Sequence, residues 1–140
     1  MNTKKILIGG LAAGIVYFLL GWLMYGKLFK DFFHTNGAAV DRPDDQIIFW
    51  ALIAGNLLLG LLVAFIVVKT NSTTAASGFG TGFVVGLLMS AGNNLIGYGV
   101  VNVMNLTAIC ADIAIATVMT AIGGAVVGLI SGGSKPSTAT

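Results

Sequence analysis

Long apolar stretches separated by short polar segments dominate this chain. Four stretches reach the roughly 20 residues that a helix needs to cross a bilayer, and they cover residues 5–29, 46–68, 75–98 and 106–131. From residue 70 to residue 134 the only charged side chain is Asp112. A soluble domain covers its surface with charges, whereas a chain surrounded by hydrocarbon avoids them. The pattern predicts an all-α, polytopic membrane protein built as a bundle of four transmembrane helices.

Composition and length support one small membrane domain. The chain has 140 residues, of which 56% are hydrophobic and 9% charged, and its mean hydropathy is +0.95. We therefore predict a single transmembrane domain over residues 1–131 and a flexible polar tail over residues 132–140. The first apolar stretch is longer than the roughly 7–15 residues of a signal-peptide core. We expect it to remain as a spanning helix.

Basic residues near the ends of the stretches predict the orientation. Four lie on one side of the predicted membrane and three on the other: Lys4, Lys5, Lys69 and Lys135 against Lys27, Lys30 and Arg42. Basic residues favour the cytoplasmic side, and those before the first helix often dominate. We predict that both termini are cytoplasmic, in a bacterial inner membrane.

Small residues recur at every fourth position within the apolar stretches. The third stretch has them at positions 78, 82, 86 and 90, and the fourth at 116, 120, 124, 128 and 132. Shorter runs occur at positions 10 and 14 and at positions 56, 60 and 64. Such spacing lets helix backbones approach closely in a membrane. It fits packing within one chain or an interface between copies, and we predict a homo-oligomer, most simply a dimer.

Polar residues gather in one half of the predicted bilayer, where the first helix ends and the fourth begins. The candidate binding or coupling residues are Asp112, Asn93, Asn94, Tyr98, Lys27, Tyr25 and, nearer the middle of the second stretch, Asn56. A carboxylate inside a membrane is costly and by default suggests a functional site. We expect Asp112 to be protonated or paired, with its carboxyl group near Asn93, Asn94 or Lys27. The alternative is a structural contact that only holds the fourth helix in place.

No pattern in the sequence predicts catalysis, a metal site or a cofactor. His34 and Cys110 are the only histidine and the only cysteine, and a zinc site needs several such ligands. The small, scattered net charge does not indicate nucleic-acid binding. We therefore predict a non-enzymatic protein. Two functions remain open: a transporter- or channel-like bundle in which Asp112 binds a proton, cation or amine, and a scaffold that packs through glycine-rich helix faces.

The end of the first stretch, residues 21–30, reads Gly-Trp-Leu-Met-Tyr-Gly-Lys-Leu-Phe-Lys. This segment resembles the signature of a small bacterial membrane family, domain of unknown function 1761. The matching residues are Gly21, Tyr25, Gly26, Leu28 and Phe29, whereas Met24 stands where the family usually has Trp. The resemblance implies four spans and a bacterial membrane. It transfers no catalytic residues.

Overall fold

The structure of the chain, a computed structural model, describes residues 2–37 and 41–133. The helices are α1 (Thr3–Leu23), which continues as a π-helical turn (Met24–Leu28), α2 (Lys30–Asn36), α3 (Phe49–Lys69), α4 (Ala75–Val100) and α5 (Leu106–Gly133). Four of them, α1 with its π turn, α3, α4 and α5, are long and apolar enough to cross a membrane. The predicted all-α bundle of four spanning helices is confirmed.

The helix bounds differ from the prediction mainly at the start of the second span. The second span was predicted to begin at residue 46, but Asp44–Gln46 form a separate 3-10 turn and α3 begins at Phe49. The Asp44 carboxylate lies 3.1 Å from the Lys30 ammonium, and no side chain caps the first turn of α3. At the other end, α5 continues to Gly133, past the predicted start of the tail. The rest of that tail, residues 134–140, lies outside the described residues.

Short polar side chains begin three of the spanning helices. The side chain of Asn2 accepts a hydrogen bond from the Lys5 backbone N–H (3.2 Å) at the start of α1. Thr74 and Ser77 form a reciprocal capping box at the start of α4. Asn105 accepts from the Ala108 N–H (2.9 Å) at the start of α5. Each contact satisfies an N–H group that has no partner inside its helix.

The glycine ladder of α4 packs directly against the ladder of α5. A Cβ atom at Gly78 would collide with the carbonyl oxygen of Gly124, and one at Gly82 with the carbonyl oxygen of Thr120. Close to the α3–α4 turn, Gly128 leaves no room for a Cβ beside the Thr74 carbonyl. The two backbones therefore touch, which is how helices gain packing energy without a hydrophobic driving force in lipid.

The ladders of α1 and α3 form a second close contact. A Cβ at Gly14 would lie 2.9 Å from the Leu57 Cα, and one at Gly10 would lie 2.9 Å from the Leu61 Cα. Gly60 in turn faces the backbone of Gly10 and Gly14. Small residues thus pack the bundle within one chain, so these ladders are not free to form an interface between copies.

The core lies where α1, α3 and α5 meet. Its buried members are Ile6, Ala13, Tyr17, Val63, Ala64, Val67, Met119 and Val127. Large apolar side chains point outward instead, and Trp50, Leu88 and Ile96 are 75%, 68% and 70% exposed. A surface made of large apolar side chains suits hydrocarbon as the solvent. The chain is a multi-pass membrane protein.

A single methyl group should distinguish the packed glycines from the exposed ones. Gly82→Ala should lower the free energy of unfolding by about 1–3 kcal/mol, because the new Cβ overpacks the α4–α5 contact. Gly80→Ala is the matched control, since nothing lies within 4 Å of a Cβ there. Unfolding in detergent micelles measures both. Equal stability of the two variants would contradict the close contact.

Candidate functional site

The predicted site lies at the end of the bundle opposite the termini of the described chain. Two loops close over this end, because the Asn105 backbone N–H donates to the Asn36 carbonyl (3.0 Å) and the Asn105 side chain donates to that of Asn36 (2.9 Å). Gly37 and Met104 form an antiparallel bridge beside them. The end of α1, the end of α4 and the start of α5 are thereby held together.

The carboxylate of Asp112 joins three helices. Its Oδ1 accepts a hydrogen bond from the Tyr25 hydroxyl at 2.5 Å, and its Oδ2 accepts one from the Asn94 side-chain amide at 2.8 Å. All three residues are half-buried. Of the three neighbours that we predicted for Asp112, the structure confirms Asn94. Tyr25 was a candidate residue, but its contact with Asp112 was not predicted.

The amide of Asn94 has its orientation fixed by two acceptors. Its Nδ2 donates to the Ser90 carbonyl of its own helix (2.9 Å) as well as to Asp112. Because a carbonyl and a carboxylate are both acceptors, the NH₂ group and not the oxygen must face them. Asn94 is therefore a positioned donor, and its own oxygen remains available.

Tyr25 reaches Asp112 from the π-helical turn at the end of α1. The turn is closed by a hydrogen bond from the Phe29 N–H to the Met24 carbonyl (2.8 Å), one residue wider than an α-helical bond. A π turn interrupts the 3.6-residue periodicity and is frequent at functional sites. The ring of Tyr25 also contacts Phe33 of α2, with centroids 5.3 Å apart. The turn and α2 together fix the direction of the hydroxyl.

A cavity of about 190 Å³ adjoins this network. Its walls come from the end of α4, the α4–α5 loop and the first turn of α5: Asn93, Asn94, Gly97, Tyr98, Val101, Val103, Met104 and Ile109. Asp112 is not among them. Asn94 therefore stands between the cavity and the carboxylate, and Asn93 and Tyr98 line the cavity without a recorded contact to Asp112.

Two predicted residues do not join the site. The ammonium of Lys27 lies over the ring of Trp22, 5.4 Å from its centroid, so of the alternatives predicted for Asp112 Lys27 is not the one that the structure bears out. The ammonium gains the face of an aromatic ring and stays near water instead. Asn56 donates to the Leu52 carbonyl of its own helix (2.7 Å).

Tyr17 is a buried polar residue that the sequence analysis missed. It is 4% exposed, and its hydroxyl faces the side chain of Thr120 in α5. Gly123 makes room for it, since a Cβ there would lie 3.1 Å from the hydroxyl oxygen. Tyr17 lies in an otherwise apolar run, so the pattern of the sequence gave no signal.

The described residues hold no group of three His, Cys, Asp or Glu side chains that would suit a metal ion. Comparison with family models, with curated proteins and with solved structures found no match to this chain. The chemistry of the site therefore has to be argued from its own geometry.

Substitutions of Asp112 should separate shape from hydrogen bonding. Asp112→Leu should lower the free energy of unfolding by about 1–3 kcal/mol, because it leaves the donors of Tyr25 and Asn94 without an acceptor. Asp112→Asn should change it little, since the Asn oxygen can accept from Asn94 while its NH₂ donates to the Tyr25 oxygen. Unfolding in detergent measures both variants. Equal losses for Leu and Asn would contradict this arrangement.

Proposed function

We propose that this protein is a small transporter- or channel-like membrane protein in which Asp112 binds and releases a proton. The observation that carries the proposal is a carboxylate inside a spanning helix whose two recorded partners, Tyr25 and Asn94, are neutral donors. In the described part of the chain the one ion pair joins Lys30 to Asp44 at the surface. The charge of Asp112 is therefore not fixed by a cation.

The pair of Asp112 and Tyr25 can accommodate either protonation state. A phenolic hydroxyl donates or accepts, so Tyr25 donates to the carboxylate and can accept from the carboxylic acid. Among the ligands considered, a proton fits best because it needs only one lone pair of a carboxylate oxygen, and each oxygen accepts one hydrogen bond in the structure. A metal cation or an amine would need room beside the carboxylate, and the neighbouring cavity does not reach Asp112.

The same contacts also support the second candidate function, a scaffold without transport. Asp112 joins α5 to the end of α1 and to α4 by two hydrogen bonds. In a membrane such bonds hold helices in one arrangement. For the scaffold, the carboxylate would serve only to hold that arrangement.

Proton flux should distinguish the two functions. Proteoliposomes that contain the protein and a trapped pH-sensitive dye should equilibrate an imposed pH gradient faster than empty liposomes. Asp112→Asn should abolish the difference, because an amide keeps the shape but cannot release a proton. Tyr25→Phe should reduce it.

The matched control for flux is Asp45→Asn, which removes an exposed carboxylate far along the chain from Asp112. It should leave the flux unchanged. A wild-type protein that conducts no faster than empty liposomes would reject the proton-binding function and leave the scaffold.

We also propose that both termini are cytoplasmic, in a bacterial inner membrane. The excess of basic residues on the terminal side supports the orientation, and the resemblance to domain of unknown function 1761 supports the membrane. With Cys110 replaced by Ala, single cysteines at Ser137 and Gln46 should react with impermeant reagents from opposite faces. Labelling of both from the same face would overturn the orientation.

A homodimer remains a proposal, although the ladders that suggested it are filled within the chain. Support now comes from Gly92 and Gly99, which are exposed with nothing within 4 Å of a Cβ. They are seven residues apart and so share one face of α4. Sedimentation equilibrium in detergent should show a dimer that Gly92→Leu weakens. A strictly monomeric wild type would remove the proposal.

A further inference from the structure

A second cavity, of about 290 Å³, opens at the opposite end of the bundle from Asp112. Its walls come from the start of α1, the end of α3, the α3–α4 turn and the end of α5: Asn2, Lys5, Val68, Lys69, Asn71, Thr73 and Ser131. Two of these side chains are cationic and four carry amides or hydroxyls. The side chains that line the cavity are therefore mostly polar or cationic, unlike the apolar surface around it.

No side-chain carboxylate lies at this end of the molecule. The chain has five acidic residues. Four of them, Asp31, Asp41, Asp44 and Asp45, belong to α2 and the segment before α3, and the fifth is Asp112. All five belong to the other end of the bundle. The lysines that line the cavity therefore have no acidic side chain to pair with, and their charge is available to an anion.

The α3–α4 turn that forms part of the cavity wall is rigidly built. Asn71 has a positive φ of 54°, which Asn tolerates better than most residues. The N–H of Ser72 donates to the Val67 carbonyl (3.0 Å) and the N–H of Asn71 to the Val68 carbonyl (3.1 Å), the pair of bonds that closes a Schellman motif. Asn71 and Thr73 therefore hold fixed places on either side of Ser72.

A chain of hydroxyl groups braces the same turn. The Ser72 hydroxyl lies 2.9 Å from that of Thr70 and 2.8 Å from that of Thr81 in α4. Ser72 is 6% exposed. Because the turn is fixed by these contacts, the polar groups that face the cavity need little ordering when a ligand binds.

Lys5 and Ser131 complete the opposite wall. The Lys5 ammonium donates to the Ser131 carbonyl at 2.9 Å. This hydrogen bond holds the ammonium beside the cavity and leaves two of its three N–H donors for a ligand. The Ser131 hydroxyl is buried and has no hydrogen-bond partner among the described residues. The contact with a helix C-terminus accounts for the position of Lys5. It does not account for the cavity, or for the polar groups that Asn2, Asn71 and Thr73 bring to it.

We infer that this cavity binds the phosphate group of an anionic membrane lipid. Its place at the end of the spanning helices is the level of lipid headgroups, and a basic pocket between helices suits an anionic headgroup. The ammonium groups of Lys5 and Lys69 supply the charge, while Asn71 and Thr73 supply neutral donors. The acyl chains would lie along the exposed apolar surface of the neighbouring helices.

Native mass spectrometry of the full chain, released from nanodiscs of mixed lipids, tests this site. Wild-type protein should retain phosphatidylglycerol in preference to phosphatidylcholine. Each lysine near the membrane surface contributes about fivefold to the binding of an anionic lipid. The double variant Lys5→Gln with Lys69→Gln should therefore reduce the preference by more than about tenfold. The matched control, Lys4→Gln with Arg42→Gln, removes the same charge outside the cavity and should reduce it less than twofold.

A second variant guards against a loss of folding. Asn71→Asp keeps the size of the side chain and its tolerance of a positive φ, but places an anion in the cavity wall. It should abolish the preference for phosphatidylglycerol, while Asn102→Asp at the other end should not. Lys69→Gln alone should reduce the preference less than the double substitution does, because Lys5 remains. This single substitution should also leave the fold intact, since the contact seen for the Lys69 ammonium is with the ring of Phe65.

Inorganic phosphate distinguishes a lipid from a soluble ligand. If millimolar phosphate displaces phosphatidylglycerol from the wild type, the site recognises phosphate but takes it from solution, and the inference of a lipid ligand is overturned. If the control pair loses as much preference as the cavity pair, or if wild type shows none, the cavity is not a phosphate site. Equal losses in the two pairs would mean that the lysines attract the anionic lipid surface without a specific site.

Discussion

Backbone contact between α4 and α5 is the constraint on which the rest of the structure depends. The contact requires glycine on both helices, because a Cβ at Gly78, Gly82 or Gly124 would meet a backbone carbonyl or Cα. Farther along the same row of α4 the residues become larger and more polar, first Ser90 and then Asn94. The helices therefore touch through their backbones at one end and through side chains at the other, where Asn94 and Asp112 meet.

The change along α4 from glycine to larger polar residues explains how an acidic group is accommodated within a spanning helix. A continuous glycine contact would leave no space for a carboxylate, whereas a gap without donors would leave it unsolvated at a cost of several kcal/mol in hydrocarbon. The structure supplies one donor from α4 and one from the π turn of α1. Both are neutral, so the site balances the charge by hydrogen bonding and not by an opposite charge. That feature is the observation behind the proposal of proton exchange.

The sequence predicted the elements of the bundle better than their contacts. Apolar length and polar caps are local properties, so all four spans and the same-side grouping of Asp112, Asn94 and Tyr25 could be predicted. The start of α3 was less well predicted, because no side chain caps its first turn and so no local signal marks the boundary. The contact of Tyr25 with Asp112 also depended on a feature without a sequence signal, the π turn from which Tyr25 extends. Lys27 was a reasonable partner by depth alone, but the neighbouring Trp22 holds its ammonium elsewhere.

Infrared spectroscopy of the Asp112 carboxyl group tests the central claim most directly. Its band in the reconstituted protein can be assigned by its loss in Asp112→Asn. Because the frequency responds to hydrogen bonds at each oxygen, Tyr25→Phe and Asn94→Leu should each shift the band. Asn93→Leu, at the exposed neighbour that makes no recorded contact with Asp112, should not. A band that moves in neither of the first two variants, or equally in all three, would contradict the account.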